Sequence, residues 1–235
     1  MTDERKPFKR PSKKHEPTGL TILFEDHDII VVDKAPGLLT VSTYREKEKT
    51  AFYLLNNYVK KGNYKSKSTV FIVHRLDRET SGVLVFAKSE RVKRFLQDNW
   101  GDFTKLYVAI VHGNMKEKQG EITSYLLENK AHRMYSTKDT EKGALAKTGF
   151  KVVKESNSFS LLEINLYTGK KNQIRVHLAE KGYPIVGDKM YGKPEKGFKR
   201  LTLHAETLTI NHPFTKEEMT FKAPLPTYFK SLIKA

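Results

Sequence analysis

A charged nine-residue segment lies between two apolar runs, and this arrangement constrains the fold more than any other feature of the sequence. Residues 69–73 (TVFIV) and 83–87 (VLVFA) are β-branched, aromatic and apolar, which is typical of buried strands. The segment between them, residues 74–82, reads HRLDRETSG. It is either a turn with ordinary surface charges or a site that the sheet holds rigidly. These residues alone favour neither interpretation.

Strand patterns recur along the chain, and few helical patterns separate them. The patterns predict helices at residues 50–61, at 89–100 with Ser89 as N-cap, at 170–181 with Gly182 at the end, and near the C-terminus. Such an order favours an α+β fold with a mixed, largely antiparallel central sheet and flanking helices. Besides the two runs above, the predicted strands include residues 20–25, 28–33, 105–112, 149–154, 160–167, 200–210 and 217–222.

The charge balance indicates a polyanionic partner. The chain of 235 residues carries 43 Lys and Arg against 27 Asp and Glu, a net charge of +16. Nucleic acid and an anionic membrane surface both fit this charge. Residues 1–19 are basic and poor in large apolar side chains, which predicts a disordered arm. Residues 20–235 are long enough for one domain with a substantial core.

Several classes of protein are disfavoured. The apolar runs are too short to cross a bilayer, and the N-terminus lacks the apolar core of a secretory signal, so we expect a cytoplasmic protein without membrane contact. The absence of Cys excludes disulfides and thiolate metal sites. None of the eight His residues falls in a His-Glu-x-x-His or similar metal spacing. We therefore expect no metal.

Asp77 is the candidate for chemistry in the charged segment. Arg75 and Arg78 flank it, and Arg175 is a later candidate partner. Cations near a carboxylate favour its charged form, and a carboxylate can act as a nucleophile, a base or an electrostatic stabiliser. The alternative is a turn Asp that pairs with its neighbours. Taken singly, the residue favours that alternative.

The wider sequence resembles a known family. Residues 74–82 match the His-Arg-Leu-Asp-x-x-Thr-Ser-Gly signature of the RluA-type pseudouridine synthases at every fixed position. Further motifs follow in the family's order and extend the resemblance to about residues 20–226. They are KLYVA at 105–109, QIRVH at 173–177, PIVGD at 184–188 with YG at 191–192, LHA at 203–205 and HP at 212–213.

This resemblance implies that the chain converts a uridine within RNA to pseudouridine. The glycosidic bond breaks, the uracil turns, and C5 bonds to the ribose, with no redox change and no expected cofactor. The family pattern makes Asp77 the catalytic carboxylate, either as nucleophile or as base. It also implies that Tyr107 stacks on the flipped uracil, that Arg175 pairs with Asp77, and that Arg75 fills the gap left by the base.

The resemblance also implies a set of RNA-binding residues. With Arg75, the set contains His74, Lys105, Lys170, Lys171 and Asn172. The family usually has Gly-Arg-Thr/Ser-His before the QIR motif, where this chain has Gly169 to Asn172. Lys170 keeps the charge of that Arg without its planar fork, and Asn172 cannot become cationic as His can.

Two other functions compete with the synthase. A catalytically inactive RNA-binding or ribosome-assembly protein could use the same fold, but it would not need Asp77, Tyr107 and Arg175 together. A carboxylate-dependent hydrolase normally needs two acids around one bond, and only Asp77 lies in a convincing motif. Many relatives carry an N-terminal S4 module, for which residues 1–19 are too few. We therefore expect the catalytic domain, with or without the basic arm, to recognise a stem-loop of rRNA or tRNA, and we expect a monomer.

Overall fold

The computed structural model describes residue 12 and residues 16–63, 65–192 and 197–234, and most of the predicted basic arm lies outside these ranges. The helices are α1 Ala51–Lys60, α2 Glu90–Asp98, α3 Gln173–Glu180 and α4 Thr227–Leu232. The strands are β1 Leu20–Glu25, β2 Ile29–Lys34, β3 Phe71–Ile72, β4 Ser81–Ala87, β5 Thr104–His112, β6 Gln119–Glu128, β7 Met134–Thr137, β8 Ala144–Glu155, β9 Phe159–Leu166, β10 Leu203–Asn211 and β11 Glu218–Lys222.

One sheet joins all the described strands. Its order is β1-β2-β4-β10-β5-β9-β8-β6-β7, with β11 paired to β10 and β3 paired to β4. The β4–β10 pair is parallel, whereas the other pairs of named strands are antiparallel. The predicted fold class, a mixed and largely antiparallel sheet with flanking helices, is confirmed.

The strand predicted at residues 69–73 is wrong in length, although Val70 and Val73 are buried as expected. Only Phe71 and Ile72 pair with β4, and both are half-buried. The reason lies in β4, because β2 covers one edge and β10 pairs with Ser81 and Gly82 on the other. Only the far end of that second edge remains for β3.

Local sequence signals correctly predicted where α2 begins and where α3 ends. Ser89 accepts a hydrogen bond from the Val92 N–H, as expected of an N-cap, and α2 follows it directly. Gly182 has φ +90° just after α3, a conformation that favours glycine. The helix itself begins at Gln173, three residues later than the sequence predicts.

The two faces of β4 pack against different helices. Val83 and Val85 belong to the cluster that includes the buried residues of α2, whereas Leu84 packs with Leu55 of α1. The partly buried Tyr107 of β5 contacts both the α1 cluster and the cluster beneath α3. This side chain therefore lies where the two cores meet. Within the described ranges, no helix combines the length and the apolar character needed to span a membrane.

Candidate active site

The register of the sheet brings the charged segment beside Tyr107. Ala205 of β10 lies opposite Gly82 of β4 on one side and opposite Tyr107 of β5 on the other. Gly82 has φ +116°, and a Cβ there would lie 2.1 Å from the Ala205 carbonyl oxygen. Only glycine fits this close approach, so the glycine that ends the signature allows the segment to dock on β10.

A cavity of about 280 Å³ opens at this junction, close to the lower end of the range for small-molecule sites. Asp77, Tyr107 and Arg175 all line it, so the fold brings the three predicted catalytic residues together. Its wall is part polar and part apolar. The lining also includes His74, Arg75, Leu76, Trp100, Lys105, Leu166, Lys170, Asn172, Ile174 and Leu203.

Asp188 fixes the guanidinium of Arg175. Nε and Nη2 of Arg175 each donate to Asp188 at 2.8 Å, in a two-point fork. Burial opposes the Arg175 charge, but the bonds to Asp188 and its charge outweigh burial and raise the pKa of Arg175. Burial alone would raise the pKa of Asp188, but its hydrogen bonds with Arg175 and the positive charge of that guanidinium hold this pKa below its usual range. The pair is therefore charged and rigid.

The contact between Arg175 and Asp77 is the weaker one. Nη1 of Arg175 lies 3.5 Å from Oδ2 of Asp77, and the Asp77 side chain keeps 25% of its exposure. The expected pair is thus present as a long contact, with Asp188 as the main partner. The sequence motif PIVGD contained Asp188, but nothing in the residue pattern assigned it to Arg175. Three-dimensional placement alone reveals this role.

Asn172 and Tyr191 complete the support around Arg175. Asn172 is buried with φ +52°, which Asn tolerates better than most residues. Its Oδ1 accepts from Arg175 Nη1 at 3.1 Å, and its Nδ2 donates to the Tyr191 hydroxyl at 3.2 Å. The Tyr191 ring lies under the guanidinium, 5.1 Å from its carbon. Asn172 therefore acts here as a neutral brace.

Gln173 anchors the loop that precedes α3. Its Oε1 accepts from Thr168 Oγ1 and from the Lys170 N–H, and its Nε2 donates to Thr148 Oγ1 and the Lys147 carbonyl. All four hydrogen-bonding positions of the amide are filled. The loop that carries Lys170 is therefore tied to β8.

Tyr107 presents an aromatic surface to the cavity beside Asp77. Burial raises the pKa of its phenol, and the charge of Asp77 adds to the rise. The hydroxyl is therefore neutral across the physiological range, which suits a stacking surface better than a proton donor.

A buried lysine braces the backbone next to Asp77. Lys34 has no exposed surface, and its Nζ donates to the carbonyls of Ala35, Leu38 and Arg78 at 3.0, 2.8 and 3.2 Å. Burial is the largest effect on its pKa, which is lowered to about 7. The residue pattern did not indicate this role for Lys34, because a lone lysine at the end of a strand carries no signal of burial.

The end of the charged segment joins β10 through a second buried set. Ser81 Oγ lies 2.8 Å from His204 Nδ1 and accepts from Arg200 Nη2 at 2.6 Å. His204 Nε2 faces the Ala223 carbonyl at 3.4 Å, so Nδ1 is the acceptor for the Ser81 hydroxyl. Burial lowers the pKa of His204 to about 4 and keeps the ring neutral. The set is a structural clamp.

His74 and Lys105 line the cavity, but both use their polar atoms internally. His74 Nε2 accepts from the Val85 N–H at 3.1 Å, and its ring packs on Trp100 at 4.3 Å. Burial lowers the pKa of His74 to about 3, with a smaller effect from Lys105. Lys105 Nζ donates to the Trp100 carbonyl at 2.7 Å. Their predicted contacts with RNA stay predictions.

The other predicted RNA-binding residues differ in their freedom. Arg75 and Lys170 are exposed, and no described residue forms a hydrogen bond or ion pair with either side chain. Lys171 Nζ, in contrast, contacts Glu128 at 2.6 Å and the His132 carbonyl at 3.2 Å. Two cations at the mouth are therefore free to meet a ligand, and a third is engaged.

One cluster outside the cavity has side chains of the metal-binding types. Asp26, Asp28 and His212 lie close together among the described residues. His212 Nε2 faces Asp26 Oδ2 at 2.8 Å, while its Nδ1 accepts from the Thr215 N–H at 3.1 Å. Nε2 thus joins the β10–β11 turn to the residue after β1, Nδ1 holds the turn itself, and the cluster acts as a brace.

A family model described as RNA pseudouridylate synthase matches residues 28–180, which carry the charged segment, Tyr107 and Arg175. The chain belongs to this family. Its activity is therefore the isomerisation of uridine in RNA to pseudouridine. The predicted resemblance to RluA-type synthases is confirmed.

Relatives of this synthase cover most of the chain. The RNA pseudouridine synthase YjbO of Bacillus subtilis (strain 168) is 34% identical over 225 residues, which is 93% of this chain and 77% of the relative. The dual-specificity RNA pseudouridine synthase RluA of Escherichia coli (strain K12) is 35% identical over 210 residues, or 87% and 93%. The structure of human RNA pseudouridylate synthase domain containing 1 superposes with a TM-score of 0.72 at 25% identity, covering 92% of this chain and 86% of that one.

Proposed function

We propose that the synthase isomerises a uridine of structured rRNA or tRNA in this cavity, with Asp77 as the carboxylate that acts on the sugar. The observation that carries this assignment is the meeting of Asp77, Tyr107 and Arg175 from three distant parts of the chain around one cavity. The bond between uracil N1 and ribose C1′ breaks, the base turns, C5 bonds to C1′ and gives up its proton, and N1 takes up a proton. The composition of the nucleotide is therefore the same before and after the reaction.

Arg175 orients Asp77 rather than neutralising it. The guanidinium gives its two strongest bonds to Asp188 and reaches Asp77 only at 3.5 Å. A carboxylate that is tightly paired would be a poor reactive group, whereas this one keeps a free oxygen and a fixed neighbour. Preorganised charge of this kind favours the transition state without reorganisation during reaction.

Tyr107 supplies the surface for the flipped base. Its ring lines the cavity together with the apolar side chains of Leu203 and Ile174. Stacking of a base on an aromatic side chain contributes about 1–3 kcal/mol and tolerates rotation, because each orientation of the uracil keeps a π-face on the ring. Such tolerance suits a reaction in which the base must turn.

Arg75 is the proposed wedge. Extrusion of a base from a folded RNA costs a few kcal/mol, and a side chain that fills the vacancy recovers part of it. Arg75 is exposed at the mouth, two residues before Asp77, so it can enter the RNA while Asp77 stays in the cavity. Lys170 on the opposite loop can meet a phosphate.

The substrate class and setting follow from the same features. Net charge of +16 favours binding to the RNA backbone, and the E. coli relative is named for dual specificity on RNA. We propose a monomer as the active form, because Asp77, Tyr107 and Arg175 already meet within a single chain. We place this activity in the cytoplasm, where rRNA and tRNA are accessible.

Replacement of Asp77 by Asn tests the assignment. We expect Asp77→Asn to abolish pseudouridine formation while the melting temperature and RNA affinity stay near those of the parent. Pseudouridine is mapped in total RNA from cells with the gene, from cells without it, and from deletion cells that express either the parent or the Asp77→Asn variant. This comparison measures the activity and identifies the target uridine together. Modification at the parental rate by the Asn variant would refute the role of Asp77.

A further inference from the structure

Tyr44 is the most exposed large hydrophobic residue among the described residues. It retains 98% of its surface, whereas Val153 and Phe214, the next most exposed large hydrophobic residues, retain 59%. An aromatic ring with no neighbours contributes nothing to the core of this protein. Exposed aromatic groups are informative because water solvates them poorly and a ligand can cover them.

The loop that carries Tyr44, residues 41–49, is ordered by its own hydrogen bonds. The Thr43 N–H donates to the Glu46 carbonyl at 2.9 Å, and the Glu46 N–H donates to Thr43 Oγ1 at 3.2 Å. Glu46 Oε1 accepts from the Lys49 N–H at 3.0 Å. Tyr44 therefore projects from a closed turn, so the chain loses little freedom when a ligand covers the ring.

The 41–49 loop is built onto the segment that carries Asp77. Thr40 Oγ1 donates to the Leu76 carbonyl at 2.8 Å and accepts from the Leu76 N–H at 3.1 Å. The Arg78 guanidinium donates to the Gly37 carbonyl at 3.0 Å. Tyr44 is four positions after Thr40, so their Cα atoms lie within about 14 Å of each other even if the chain is fully extended.

Charges around the ring favour an anionic polymer. Arg45, Lys47 and Lys49 are exposed on the same loop. One of the two acids among them, Glu46, turns its carboxylate toward the backbone of the loop. An exposed ring among cations is the combination by which proteins bind unpaired nucleotides, through stacking on the base and attraction to the phosphate.

We infer that Tyr44 stacks on an unpaired base of the RNA substrate, next to the target uridine on the Arg78 side of the cavity. The inference rests on the proposed function, because it takes the RNA that reaches Asp77 as the ligand. Arg75 and Tyr44 then hold the RNA at two points that Leu76 and Thr40 tie together. The loop selects for substrates with an unpaired stretch beside the modified position.

Two RNA probes separate stacking from general attraction. One is a fluorescein-labelled hairpin with a loop of seven uridines, and the other is a blunt duplex of equal length. We expect Tyr44→Ala to weaken hairpin binding ~5- to 150-fold in fluorescence anisotropy, from the usual contribution of one stacked base. Binding to the duplex stays at the parental level, and Tyr44→Trp restores binding to the hairpin.

Phe214→Ala is the matched control. Phe214 is an exposed aromatic residue beyond the end of β10, and Leu203, which lines the cavity, begins that strand. The nine residues of β10 span roughly 27 Å at the usual rise of a strand. We expect this variant to bind both probes as the parent does. Equal hairpin affinity of Tyr44→Ala and the parent, or equal losses on both probes, would overturn the inference.

Turnover on total RNA from cells that lack the gene separates the two proposals. We expect Tyr44→Ala to raise KM with kcat unchanged, because the ring acts in binding and does not reach the reacting atoms. If the parent itself makes no pseudouridine, the proposed function fails. If the parent is active and Tyr44→Ala has the same KM, only the inference about the loop fails.

Discussion

The floor and the rim of the cavity follow opposite rules. On the floor, Arg175 is held by Asp188 and Asn172, and the backbone beside Asp77 is held by Lys34. On the rim, Arg75 and Lys170 are exposed. Chemistry on a ribose needs groups whose positions are set before the substrate arrives. Capture of a flexible RNA needs groups that are free until it arrives.

The two regions also differ in how strongly a substitution there affects the stability of the fold. A buried ion pair gains little over apolar packing, but the loss of one partner leaves a charge without compensation. Exposed cations contribute about 0–1 kcal/mol to stability, so they are free to vary with the substrate. Changes on the floor should therefore alter both stability and turnover, and changes on the rim should alter RNA handling alone.

The largest effect is expected from Asp188→Asn. The variant leaves Arg175 buried and charged without its main partner, which should lower the free energy of unfolding by about 3–5 kcal/mol. The freed guanidinium can then pair fully with Asp77, so kcat should fall as well. Chemical denaturation and single-turnover kinetics measure the two losses.

The control is Asp139→Asn, which removes an exposed partner of Lys142 and should lower the free energy of unfolding by less than about 1 kcal/mol. Equal losses in the two variants would break the distinction between floor and rim.

Lys34→Met should give the next largest effect, as a change in the dependence of stability on pH. Lys34 has its pKa lowered by burial to about 7, against 10.5 when unfolded. Between these values the unfolded chain binds a proton that the folded protein does not. The free energy of unfolding of the protein therefore rises with pH between about 7 and 10.5. This gain in stability is lost as the pH falls toward about 7.

The variant removes this contribution because Met does not titrate. Relative to Lys34→Met, the parent should gain about 3 kcal/mol in free energy of unfolding from pH 7 to about pH 9.5, at 1.36 kcal/mol per pH unit. Urea titrations at several pH values measure the difference, from which the other titrating groups cancel. Parallel curves for parent and variant would mean that Lys34 keeps its charge when folded.

Most of the fold could be predicted because its signals are local. Ser89 caps α2 through a hydrogen bond to a residue three positions on, and Gly182 ends α3 through its own φ. The strand at residues 69–73 failed because its length depends on β10, which comes more than a hundred residues later. Hydrophobic pattern predicts burial, but competition between strands for one edge is a property of the whole sheet.

The same division applies to the candidate site. Asp77, Tyr107 and Arg175 stood out because short motifs surround them, and the fold does bring them together. Asp188 and Lys34 did not, because their roles depend on partners that the fold alone selects. Asn172 looked like a lost cation in the sequence, whereas its amide bonds Arg175 and Tyr191 at once. The motifs therefore predicted which side chains meet at the cavity, but they did not predict which side chains support them.

Arg75→Ala should have the smallest effect and sharpens the comparison from the side of the rim. Arg75 is exposed, so its loss should change the free energy of unfolding by less than about 0.5 kcal/mol. A wedge recovers part of the few kcal/mol spent on base flipping, so turnover on the structured target RNA should fall about tenfold. The same target with its uridine already unpaired should be modified at nearly the parental rate, because the flip then costs little.

Arg91→Ala, which removes an exposed arginine of α2 outside the cavity lining, should leave both rates unchanged. Equal losses on the two RNAs would make Arg75 a phosphate contact, since a lost phosphate contact weakens every RNA alike and only a wedge distinguishes a stacked base from a free one.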